Sequence, residues 1–155
     1  MSLSDNDVAE QAEKLLGMPF ILGDPDTGVD CLSSLRSFYG AMGVEFPEEI
    51  DGINWQNYPE IWTNDNNKAR RVFDQFLSTL GDPVPHNFHI RGDLLLFRGE
   101  EFPVFPAICL GNGNMFIVID GSEKRKDGSE KKVGGHVVPF KAFEKYFIGA
   151  RRLIK

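Results

Sequence analysis

The chain has 155 residues and a formal net charge of −6, with hydrophobic and charged residues in the proportions of an ordinary globular domain. That length predicts one domain over residues 1–155, large enough to bury a core without disulfides or metal. The acidic balance argues against a nucleic-acid partner, no apolar run is long enough to span a bilayer, and the acidic start "MSLSDNDVAEQ" lacks the apolar stretch of a secretory signal.

In chain order, residues 4–16 read as a helix. Ser4 is placed to cap it, Val8, Ala12, Leu15 and Leu16 form its apolar stripe, and Gly17 ends it. "MPFILGDPDTG" reads as a loop rich in turn residues. A second helix is expected over about 30–42, with Cys31, Leu35, Phe38 and Met42 on one inward face and Gly43 as the stop. Residues 44–64, with Trp55, Tyr58 and Trp62, read as irregular. A third helix is expected over about 65–80, closed by Gly81 and Pro83.

Beyond residue 90 the pattern changes. "GDLLLFR", "VFPAICLG", "NMFIVID", "GHVVPF" and "ARRLI" are short apolar runs between Gly, Asn and Asp, and read as strands. "GNGN" at 111–114 is a tight hairpin turn. Residues 121–135, "GSEKRKDGSEKKVGG", are a polar and mostly basic excursion between two strands. "FKAFEKYF" reads as a short helix. Helices first and antiparallel strands after them predict an α+β fold, helices packed on an antiparallel sheet of five or six strands. The thirteen phenylalanines point to a core filled by aromatic rings.

The chemistry-bearing residues are few. The two cysteines, Cys31 and Cys109, have no spacing for a disulfide framework or a zinc site, so no metal is expected. A thiol at a helix start gains nucleophilicity from the unpaired N–H groups there, and more from a nearby imidazolium. Cys31 is therefore either a nucleophile or a small buried residue packed under Phe105. Cys109 reads as packing. "RGD" at 91–93 reads as a turn followed by the Asp that opens a strand. The Lys/Arg cluster around 124–132 reads as a solvated loop, with contact to an anionic polymer such as cell wall as the other reading.

Four words in this order resemble the NlpC/P60 family of papain-like cysteine peptidases. They are "LLGMPFILGDPDTG" (15–28), "DCLSSL" (30–35), "GDLLLF" (92–97) and "FPAICLGNGNMFIV" (105–118), with "GARRLI" similar to the family's Arg-rich closing strand. The extra helix before "GDLLLF" is similar to the longer phage and prophage members. The resemblance implies a papain-like domain whose relatives cleave wall peptides beside a D-γ-glutamyl residue, without cofactor. In such a site the cysteine attacks the carbonyl, a histidine takes its proton, and a third polar residue orients that histidine.

Mapped residue by residue, the nucleophile position is Cys31. The histidine position holds Phe105 and the third position Ile117, neither of which can move a proton. "DCSG" has become "DCLS", so Leu32 and Ser33 stand beside the cysteine. These departures imply a catalytically degenerate relative that acts as a binding or structural module, such as a phage-tail part. The alternative is an active cysteine peptidase or amidase in which Cys31 uses a displaced base. His136 is the first candidate, provided its strand lies beside the one carrying Ile117; His86 and His89 are the others. Asp30, Trp55, Tyr58 and Trp62 are candidates for a substrate groove beside the cysteine, with core filling as the other role for the aromatics. The expected partner is a peptidoglycan peptide or a protein, and the expected location is cytoplasmic or virion-associated.

Overall fold

The computed structural model describes residues 5–16, 31–50, 52–54, 56–85, 88–98, 105–124 and 130–154. Ser4, Gly17, Asp30, Trp55 and His86, and the side chains of Cys31 and Trp62, lie outside the described residues.

Helix α1 runs Asp5–Leu15 and buries Val8, Ala12 and Leu15, the expected stripe. Helix α2 runs Cys31–Ala41 and buries Leu32, Leu35, Phe38 and Tyr39. Its stop has a clear physical cause. Gly43 takes φ +83°, Val44 N–H donates to Tyr39 O, and Gly43 N–H donates to Gly40 O. These two hydrogen bonds close the last turn around a left-handed residue, a conformation that favours glycine.

The stretch read as irregular holds structure of its own. Strands β1 (Glu49–Ile50) and β2 (Ile53–Asn54) form a small hairpin, and helix α3 (Tyr58–Asn64) follows. Asn54 Oδ1 accepts from the N–H groups of Gln56 and Asn57, and Asn57 Oδ1 accepts from Asn54 N–H, which ties the hairpin to α3. Helix α4 (Asn66–Thr79) starts where Asp65 accepts from Lys68 N–H, and buries Val72, Phe76 and Leu77.

The remaining strands are β3 (Asp82–Val84), β4 (Leu94–Phe97), β5 (Phe105–Gly111), β6 (Asn114–Lys124), β7 (Glu130–Pro139) and β8 (Phe147–Arg152). They form one antiparallel sheet in the order β3-β8-β4-β5-β6-β7. The α+β expectation of helices on a five- or six-stranded sheet holds, with six strands. The β5–β6 turn puts Asn112 at φ +54° and Gly113 at +78°, the two positive φ values of a type I′ hairpin. "FKAFEKYF" makes two 3₁₀ turns, Phe140–Ala142 and Glu144–Tyr146, rather than one helix.

The sheet has apolar residues on both faces. On one face Leu94, Leu96, Ile108 and Phe116 pack against α1, α2, α3 and α4. On the other, Leu95, Phe97, Ala107, Cys109, Met115, Ile117 and Ala150 form a second cluster, covered by Phe105, Phe140, Phe143, Tyr146 and Phe147. We call these the inner and outer faces.

Candidate functional site

Cys31 is the first residue of α2, as the sequence predicts. The next residue, Leu32, is buried, and so are Ser33 and Ser34. The first turn of α2 therefore sits in the protein rather than in solvent. Leu32 lines a shallow cleft of about 260 Å³, part of it open solvent, together with Glu48, Ile53, Tyr58 and Phe76. Tyr58 is thus both a cleft wall and a core residue, being 3% exposed. Of the four groove candidates it is the one whose side chain is described.

Phe105 faces the outer cluster. It pairs with Phe97 across β4 and β5, and the two rings stack at 5.1 Å. Phe143 meets Phe105 edge-on at 5.8 Å. Ile117 is 1% exposed in the same cluster. The two positions that the resemblance assigns to proton-handling residues hold packed apolar side chains.

The register then places His136. Val84 lies opposite Ala150, Ala150 opposite Leu95, Leu95 opposite Ala107, Ala107 opposite Ile117, and Ile117 opposite His136. Directly opposed residues share a face. One row therefore crosses all six strands, and His136 ends it on the outer face. The strand carrying His136 does lie beside the one carrying Ile117, although it begins at Glu130 rather than near residue 135. Gly135, one residue back, points the other way. A Cβ there would collide with Leu15 O and press on the Phe116 ring at 3.0 Å, so the helix layer rests on this glycine. The packed side chains of α2 are on the inner face, and the sheet stands between them and His136.

His89 is half-buried, its ring against Phe140 at 5.2 Å and Phe147 at 5.6 Å. It belongs with the outer aromatic cover. Among the described residues no group of His, Cys, Asp and Glu is arranged to hold a metal ion. Cys109 is buried at 6% exposure, and burial pushes its thiol up from the ordinary range, as expected of a packing cysteine.

Spacing does not announce the buried ion pair of Asp93 and Arg152. Asp93, of "GDLLLF", is 2% exposed and receives both arms of Arg152: Nε to Oδ1 at 3.0 Å and Nη2 to Oδ2 at 2.9 Å. Ile90 N–H also donates to Asp93 Oδ2. Gly92, at φ +93°, accepts the buried Tyr39 hydroxyl at its carbonyl. Arg151 donates to Leu80 O and Gly81 O, covering the C-terminal end of α4. The "GD" and "ARR" words are thus two halves of one structural joint. Their presence was visible in the sequence, and their pairing across 59 residues was not.

Neither a family model nor a curated protein sequence matches the chain. Solved structures do. An NlpC/P60 family protein from Bacillus cereus superposes with a TM-score of 0.62 at 19% identity, covering 100% of this chain and 42% of that one. The NlpC/P60 domain of the peptidoglycan hydrolase SagA superposes with a TM-score of 0.54 at 19% identity, covering 97% of this chain and 99% of that one. The chain therefore spans less than half of the Bacillus cereus protein. At such identity the likeness carries the architecture, and the conclusion is one of fold: this chain has an NlpC/P60-like fold.

Proposed function

We propose that the chain is a degenerate relative of cell-wall cysteine peptidases that keeps the scaffold and serves as a wall-binding or structural module, of the kind used in phage tails. One observation supports this above the others. Where a base and its orienting partner are expected, Phe105 stacks on Phe97 and Ile117 is sealed in the outer cluster. A phenyl ring and an alkyl chain accept no proton, so neither position can supply a general base to a thiol. The similarity of the fold to that of a peptidoglycan hydrolase domain supports the wall as the setting.

The test is peptide release from purified sacculi and from a synthetic peptide containing a D-γ-glutamyl bond, read by mass spectrometry. Wild type and Cys31→Ala should release equally little while still sedimenting with the walls. Release by wild type that vanishes in Cys31→Ala overturns the reading.

A second reading, active hydrolysis with His136 as displaced base, draws on the register that sets His136 opposite Ile117. In that case His136→Ala abolishes release as fully as Cys31→Ala. The placement of His136 on the outer face, away from the packed side of α2, weighs toward the first reading.

A further inference from the structure

The shallow cleft beside the first turn of α2 is the feature that the degenerate-peptidase reading leaves unused. Its lining between residues 47 and 58 comes from the β1–β2 hairpin and its flanks, and Leu32 of α2 and Phe76 of α4 complete it. The floor is apolar and firm, since Leu32, Ile53, Tyr58 and Phe76 all belong to the inner core. The hairpin wall is held as well. Asn57 Nδ2 donates to Gly52 O at 3.1 Å, and Asn54 and Asn57 exchange bonds between side chain and backbone N–H. A wall fixed in this way has little freedom left to lose when a ligand arrives.

The chain around the cleft is acidic to an unusual degree. Residues 37–67 contain six acidic residues and no Lys, Arg or His, so this stretch alone carries a charge equal to the whole chain's −6. Glu45, Glu48, Glu49, Glu60 and Asp65 are exposed, and none of them has an ion pair among the described residues. Glu48 itself lines the cleft, and Glu49 lies directly opposite Asn54, another lining residue. An apolar floor is thus combined with carboxylates that lack a counter-charge. That combination repels anions and suits a cation carrying an alkyl group.

We propose that this cleft docks a basic segment of a partner protein, one that presents an aliphatic side chain flanked by arginines. The aliphatic side chain rests on Leu32, Ile53 and Phe76, and the guanidinium groups meet Glu48 and Glu49, because a planar fork of donors matches a carboxylate in two bonds at once. The apolar floor favours such a segment over a polyamine, whose charges are spaced along the whole chain. The cleft is shallow, so charge supplies much of the attraction and salt weakens it. The docking calls on neither Cys31 nor a base, and it goes beyond the wall-module reading without depending on it.

The experiment titrates the full, isotope-labelled chain with the peptide acetyl-Arg-Leu-Arg-Leu-Arg-amide and follows backbone amide shifts by NMR. The shifts should cluster at Leu32, at residues 47–58 and at Phe76, and fade as salt rises. Replacing both leucines of the peptide by serine should weaken binding roughly fivefold or more. Spermidine, of equal charge, should bind more weakly than the peptide. Glu48→Lys with Glu49→Lys should weaken peptide binding roughly tenfold or more, and Glu48→Gln with Glu49→Gln should weaken it less. Glu144→Lys, in the 3₁₀ turn that helps to cover the outer face, should change it about twofold at most. Thermal melts check that each variant folds, and the glutamine pair keeps the test open if the lysine pair does not. No binding by folded wild type, shifts centred elsewhere, equal binding of the serine peptide or of spermidine, or full binding by folded lysine-pair protein overturns the proposal. None of these outcomes depends on whether wall peptides are cleaved or walls are bound, so the two proposals fail separately.

Discussion

The two faces of the sheet have different builders. The inner face is closed by four helices, and the stripes of α1, α2 and α4 were recognisable by their 3.6-residue period. The outer face is closed by rings from β5, β8 and the two 3₁₀ turns: Phe105, Phe140, Phe143, Tyr146 and Phe147 around Phe97. No helix covers it. The family-like words that survive in this chain are those that shape the backbone or join elements, namely Gly92, Asp93, Asn112–Gly113 and Arg151–Arg152. At the two positions to which the resemblance assigns proton transfer, Phe105 and Ile117 contribute to outer-face packing. An apolar side chain on the outer face adds burial, whereas an apolar side chain in place of Asp93 removes the charged partner of Arg152.

The sharpest way to break this contrast is at Phe97. It is fully buried and its ring lies within 6.3 Å, centroid to centroid, of four other phenylalanine rings. Phe97→Ala should cost about 3–5 kcal/mol in urea unfolding, as much as Phe38→Ala on the inner face. If Phe97→Ala costs under ~1 kcal/mol while Phe38→Ala costs the full amount, the outer cluster is a loose cover and not a second core.

Next is the joint. Asp93→Ala removes the acceptor of Ile90 N–H and both carboxylate contacts of Arg152, which keeps its bond to Phe88 O. Because Arg152 is partly exposed and can rehydrate, the expected loss is about 2–4 kcal/mol, at or below the usual range for a broken buried pair. A melting temperature equal to wild type would show the joint to be dispensable.

Gly135 tests how the helix layer meets the sheet. Gly135→Ala should destabilise by about 1–3 kcal/mol, by forcing Leu15 and Phe116 apart from β7. His136→Ala next door, on the outer face, serves as the comparison. A larger effect at His136 than at Gly135 would reverse the assignment of faces.

The smallest effect is in the alkaline limb. Burial, and then the nearby Asp93 charge, push the Tyr39 phenol well above its ordinary range, and burial raises the Cys109 thiol. Both groups are held protonated in the fold. Their contribution is complete below the unfolded values, about 8.5 for Cys and 10 for Tyr, and is lost as pH rises through the raised folded values. Stability should therefore fall with pH above about 9. Tyr39→Phe should flatten the part above about pH 10. An unchanged slope there would assign the alkaline loss to other groups. Iodoacetamide should label Cys109 slowly until the protein unfolds.

Much of the architecture was legible in the sequence. α1, α2 and α4 came within two residues of their observed ends, because each has a stripe and a stop. β3 was missed because Gly81 and Pro83 read as terminators. Pro83 is tolerated because β3 is an edge strand. The β1–β2 hairpin and α3 were missed because their runs are too short to show a period, and Asn54 and Asn57 hold them through side chains instead. β6 and β7 extend well into the basic stretch, where hydrophobicity stops but the backbone pairing of the two strands continues. At the site, word order suggested where the chemical positions fall in the chain. Which face each one presents could not be read, since that depends on register across strands far apart in sequence.

β8 has a consequence for how the chain reaches this state. It is the latest strand in sequence, yet it lies between β3 and β4, which touch each other nowhere in the sheet order. Until it arrives, β3 has no partner, Asp93 has no counter-charge and the end of α4 has no cover. Assembly thus waits on contacts that close loops of 59 and 71 residues, and long loops are slow to close before their reward is collected. The two arginines of β8 act as a late clasp. Refolding should show its slow step in the docking of this strand rather than in the formation of the helices.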